Sequence, residues 1–149
     1  MKVLISGGGI AGLTLAYWLQ KVGVTPVVVE QANGMRHNGY GVDFYSTGYD
    51  VAERMQLVDQ LRPHQIRAQY LAYLNEQGEP AAKLALDTMR QVLGGKYMAL
   101  MHYTLEDVLY DAVRAQVEVR FNTAISALEQ SADAVTATFS DGQSETFAL

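Results

Sequence analysis

Cysteine is absent from this chain, which excludes disulfides, thiolate catalysis and cysteine-ligated metals. Basic residues are few and scattered: 11 Lys and Arg against 16 Asp and Glu leave a net charge of −5. That balance argues against nucleic acid or an anionic membrane as the main partner. No segment approaches the roughly 18 uninterrupted apolar residues of a membrane span. Lys2 precedes an apolar run, as in a secretory leader, but Gly7-Gly8-Gly9 interrupts it, and the default expectation is a cytoplasmic protein. His37, His64 and His102 lack metal-ligand spacing, so no metal site is expected. The Gly-x-Ser-x-Gly elbow is missing, and Ser6, Ser46 and Thr104 show no Ser-His-Asp arrangement.

What is present is a 149-residue chain, 49% hydrophobic and 18% charged, the size and balance of one globular domain. Its first thirty residues are the most informative. Lys2–Ser6 predicts a strand, Gly7–Gly9 a turn, Ile10–Val22 an amphipathic helix and Val27-Val28-Val29 a second strand, with Glu30 at its end. A lone Gly-x-Gly-x-x-Gly is weak evidence, but here it follows a strand, opens a helix and leads to an acidic residue. Gly7 allows the tight turn, Gly9 lets the backbone approach a pyrophosphate, and Gly12 lets the helix pack on the sheet. The helix N-terminus offers N–H groups to the phosphates, and Glu30 accepts from a ribose hydroxyl. These residues predict an adenine-dinucleotide site.

Beyond Glu30, Gln31–Asn38 is polar and irregular, and residues 39–45 alternate as a strand with glycines. Ser46 or Thr47 is placed to cap a helix over Tyr49–Met55, followed by a turn around Leu57–Leu61. Tyr70–Leu74 and Ala82–Leu86 read as a hairpin. A second helix begins near Thr104, with Thr104 as its cap and Leu105, Val108, Leu109, Ala112 and Val113 on a buried face. Val117–Phe121 reads as a short strand. A meander follows at about 123–149: Thr123–Glu129, Ala134–Phe139 and Ser144–Leu149, with Asp141-Gly142 turning the last pair. Trp18 is expected in the core. The apolar end at Thr146–Leu149 predicts a truncation. In an NAD-type unit a crossover helix and a third parallel strand follow the second strand. The loop, glycine-bearing strand and hairpin found here favour FAD instead.

Gly7-Gly8-Gly9-Ile10-Ala11-Gly12-Leu13, Glu30, Arg36, Gly39-Tyr40-Gly41-Val42-Asp43 and the Leu105/Leu109 spacing together resemble the single-component flavin-dependent aromatic hydroxylases related to para-hydroxybenzoate hydroxylase. That group includes the tetracycline-modifying monooxygenases. The resemblance covers essentially the whole chain, as the N-terminal part of proteins more than twice as long. It implies that Gly7, Gly9, Ile10, Ala11 and Gly12 line the FAD pyrophosphate and that Glu30 holds the adenosine ribose. Gln31 stands where the family often has a basic residue near the adenine. Arg36 falls near the flavin or the incoming nicotinamide, and Asp43 close to the flavin. His102 replaces an arginine that reaches the FAD; histidine is shorter and often neutral. From the residues alone, Arg36 also reads as a solvated loop side chain, Asp43 as a turn or edge-strand residue and His102 as structural.

The expected fold is therefore α/β: an FAD-type Rossmann-like βαβ domain over residues 1–149 with inserted antiparallel strands. The resemblance implies a monooxygenase that uses FAD, with NAD(P)H as reductant, to hydroxylate an aromatic or polycyclic small molecule. No catalytic residue is assigned. The alternative is a non-catalytic nucleotide-binding fragment, or a half-protein that pairs with a complementary C-terminal half or with its own copy.

Overall fold

The computed structural model describes residues 1–148. The chain runs β1 (Lys2–Ser6), α1 (Ile10–Lys21), β2 (Thr25–Val29), β3 (Gly41–Tyr45), α2 (Ser46–Arg54), α3 (Val58–Leu61), β4 (Tyr70–Leu74) and β5 (Pro80–Ala85). It continues with α4 (Leu86–Val92), β6 (Tyr97–Met101), α5 (His102–Val113), β7 (Glu118–Arg120), β8 (Ile125–Gln130), β9 (Val135–Phe139) and β10 (Ser144–Phe147). Two compact units divide it: Met1–Asn38 with the chain from Leu105 onward, and Gly39–Thr104.

The first unit is built on a parallel sheet in the order β1-β2-β7. Lys2 to Ser6 pair with Thr25 to Val29, and Val27 to Val29 pair with Glu118 to Arg120. Since alternate residues of a strand face opposite sides, this register puts Val3, Ile5, Pro26 and Val28 on one face and Leu4, Val27 and Val29 on the other. Gly12 of α1 lies against Ile5 on the first face. The second face is covered by the β8-β9-β10 meander, where Val27, Val29, Ala137, Phe139 and Phe147 form a buried cluster flanked by Leu4 and Ile125. Both faces of β2 are thus closed, which explains its continuous run of buried valines. At the predicted turn, Asp141 accepts the N–H of Gln143 at 2.9 Å. The last predicted strand is observed over Ser144–Phe147; Leu149 lies outside the described residues. Trp18, expected in the core, is instead 38% exposed, because α1 buries only Leu13 and Ala16 and turns its tryptophan to the outer face.

In the second unit β3 pairs antiparallel with β6, from Gly41 opposite Met101 to Tyr45 opposite Tyr97. β4 and β5 form the predicted hairpin, with β5 starting two residues earlier than expected, at Pro80. Asn75 closes its turn by accepting the N–H groups of Gln77 and Glu79. Three expectations are corrected here. Helix α2 starts at Ser46 without a side-chain cap; Ser46 adopts φ 54 directly after β3, so the change of direction is made by its backbone. The segment around Leu57–Leu61 is a short helix, continued by a 3-10 turn over Arg62–His64, rather than a simple turn. Thr104 is no cap: it is buried inside α5, which begins at His102 because the His102 N–H is already held by the Tyr40 carbonyl at 2.9 Å. Helix α4 and strand β6 complete the unit, and neither is expected from the sequence.

Candidate dinucleotide-binding site

The site starts where β1 ends. Gly7 has φ +109, a backbone conformation L side chains rarely adopt, and its N–H donates to the Val29 carbonyl at 2.8 Å. The turn is thereby tied to the end of β2. A Cβ on Gly12 would stand 1.9 Å from the Gly7 carbonyl oxygen, so α1 can lie this close to the turn only with glycine there. The N-cap of α1 is Gly9, which provides no side-chain cap, and the first turn holds no acidic residue. Leu13 N–H makes the first bond back, to Gly9 C=O at 3.0 Å. The N–H groups of Ile10, Ala11 and Gly12 therefore have no acceptor within the helix. They present partial positive charge to an anion, a contribution of about 0.3–1 kcal/mol from the helix field before direct hydrogen bonds are counted.

Glu30 stands across the turn. One carboxylate oxygen accepts the Gly8 N–H at 2.9 Å and the other the Ala32 N–H at 2.9 Å. Its pKa is lowered: the Ala32 N–H does most, burial opposes it, and the Gly8 N–H, the Arg36 charge and the Gln31 N–H add to the lowering. The anion is therefore secured at neutral pH. Each oxygen keeps a further acceptor position, as two ribose hydroxyls require. The loop after it is fixed at its base, since Thr123 N–H donates to Glu30 C=O and Asn122 N–H to Ala32 C=O. Gly8, Gly9, Glu30, Gly34, Met35, Arg36 and Glu106 line a solvent-open groove. Uncapped N–H groups on one side and a carboxylate with spare acceptor positions on the other suit an adenosine pyrophosphate.

The sequence candidates divide between the two units. Gly7, Gly9, Ile10, Ala11, Gly12, Glu30, Gln31 and Arg36 all belong to the first. Arg36 Nη2 is 4.0 Å from Glu30 Oε1 with its side chain 68% exposed, so it lines the groove as a largely solvated cation. Gln31 is exposed and acts on Glu30 through its backbone. Asp43 and His102 belong to the second unit. Asp43 accepts a hydrogen bond from Tyr97 Oη at 2.5 Å, across the β3–β6 ladder. Burial first, and then this bond, push the Tyr97 hydroxyl up to about 12. The His102 ring lies 5.1 Å from that of Tyr40. Sequence reasoning missed Glu106, whose carboxylate reaches Gly9, and Tyr97. Glu106 was within reach: four residues after His102, it shares that residue's side of the helix.

A parallel βαβ unit with a glycine turn and an acidic residue ending β2 defines a dinucleotide-binding α/β fold. The chain belongs to the FAD binding domain family, which matches it over residues 1–148. A flavin-dependent monooxygenase of Legionella longbeachae is 28% identical over 156 residues, covering 100% of this chain and 38% of that protein. The crystal structure of tetracycline destructase Tet(51) matches with a TM-score of 0.80 at 25% identity, over 99% of this chain and 37% of that one. That of p-nitrophenol 4-monooxygenase from Pseudomonas putida DLL-E4 matches with a TM-score of 0.79 at 25% identity, over 97% and 38%. The chain spans about two fifths of the length of the curated relatives it matches. Among the described residues no helix is long and apolar enough to cross a membrane.

Proposed function

We propose that this chain is the FAD-binding part of a flavin-dependent monooxygenase that hydroxylates an aromatic or polycyclic small molecule, with NAD(P)H as reductant. The observation that carries the reading is the pairing of an uncapped α1 N-terminus with the doubly held Glu30 carboxylate on one groove. In this reading the N–H groups of Ile10, Ala11 and Gly12 bind the pyrophosphate, and Gly7 and Gly9 keep side chains out of its way. Glu30 orients the adenosine ribose, Gln31 borders the adenine end, and Arg36 serves the flavin or the incoming nicotinamide. Asp43 and His102 act on the flavin side. The flavin, when bound, supplies the redox and oxygen chemistry; the chain binds and orients it. The activities of two similar proteins, a flavin-dependent monooxygenase and a p-nitrophenol 4-monooxygenase, support the reaction class.

The proposed reaction consumes one NAD(P)H, one proton and one O₂ for each ring hydroxylated, and releases NAD(P)⁺ and water. A labelling experiment tests it. The monooxygenase of which this chain is the FAD-binding part, loaded with FAD, is given ¹⁸O₂, NADH or NADPH and a panel of phenols and polycyclic phenols. One ¹⁸O atom per product with matched nicotinamide oxidation is the expected result. Nicotinamide oxidation that yields only hydrogen peroxide across the panel would contradict the hydroxylase reading.

A further inference from the structure

Helix α5 places a carboxylate on the phosphate-binding turn. A Cβ built on Gly9 would lie 3.2 Å from Glu106 Oε1, so the Glu106 carboxylate touches the face of the turn that a pyrophosphate has to approach. The next residue, Asp107, lies 3.2 Å from His37 of the loop after β2. The charges lining the groove are Glu30, Glu106 and Arg36. Glu30 is matched by the Gly8 and Ala32 N–H groups, and Arg36 is largely solvated. The groove thus brings a second carboxylate, besides Glu30, to the turn that a ligand with two phosphate charges has to reach.

We infer that Glu106 is an internal anion that competes with the cofactor's pyrophosphate for the N-terminus of α1, and so sets how tightly the dinucleotide is held. The inference rests on the placement of the pyrophosphate at this turn given above. Loading then requires the Glu106 side chain to rotate away from Gly9. The effect is specific to phosphate: adenosine lacks the charge that Glu106 opposes and is indifferent to it.

The test is an ADP titration of wild type, Glu106→Gln and Glu106→Ala, followed through the amide shifts of Ile10, Ala11 and Gly12 in ¹H–¹⁵N spectra, which also report whether each variant keeps the fold. Removing a like charge a few ångströms from the phosphates, at an intermediate effective dielectric and with salt screening, is expected to tighten ADP about tenfold. Adenosine affinity is expected to stay within about twofold, the level of a neutral substitution. Unchanged or weakened ADP binding in both variants overturns the inference. So does a failure of both to bind ADP, because a turn freed of its competing charge has to accept the anion. A failure of the FAD reading looks different: ADP binds, more tightly in the variants, while FAD is excluded from all three proteins.

Discussion

Glu30 concentrates the residue-level argument. Its carboxylate is lowered from the ordinary 4.5, first by the Ala32 N–H, and its side chain is only 13% exposed. A carboxylate whose folded pKa lies below its unfolded value contributes stability that is fully present above the unfolded pKa. That contribution is lost as pH falls through the folded value. Glu30→Gln is therefore expected to be about 1 kcal/mol less stable than wild type at pH 7, the net worth of a typical hydrogen bond. The gap between the two proteins should close as pH falls below 4.5. Urea unfolding of both proteins from pH 7 to 3 measures this. A gap that is constant with pH contradicts the role given to the anion.

The elements differ in how openly the sequence declares them. β1, α1 and β2 were legible because each carries its own local signal: apolar runs of strand length, a glycine turn between them and helical spacing after it. Helix α4 and strand β6 were not. Leu86–Val92 is short and buries only Leu86, so no stripe repeats, and Tyr97–Met101 is apolar without alternation. What makes β6 a strand is its ladder with β3, and that pairing of distant segments leaves no local mark. The same ladder brings Tyr97 to Asp43, which the sequence presented as an isolated acid. One tyrosine is accordingly expected to resist ionisation until about pH 12 in a 295 nm titration. Because its folded pKa is raised above the ordinary 10.0, the stabilisation is present below pH 10 and disappears as pH rises through about 12. In Tyr97→Phe the late-titrating group should vanish. If every accessible and buried tyrosine of the wild type titrates near 10, the Tyr97–Asp43 bond is not formed in solution.

For the whole molecule, the sequence disclosed the dinucleotide fold and concealed how it is assembled. Val117–Phe121 was readable as a strand, yet its parallel partner is β2, and all of residues 39–104 lies between them in the chain. The meander was readable as three strands, whereas its role, sealing the Val27 and Val29 face of the sheet, came only from the structure. The candidate site followed the same rule. Gly7 to Gly12 and Glu30 form one local motif and were found together; Glu106 enters the groove from α5, remote in sequence, and was not. The central claim is that the first unit seats the adenosine diphosphate half of FAD. Flavin-fluorescence titration of the chain with FAD, followed by competition with ADP and with FMN, tests it most directly. The account predicts saturable FAD binding that ADP displaces and FMN does not. Absence of saturable binding, or displacement by FMN but not by ADP, would contradict it.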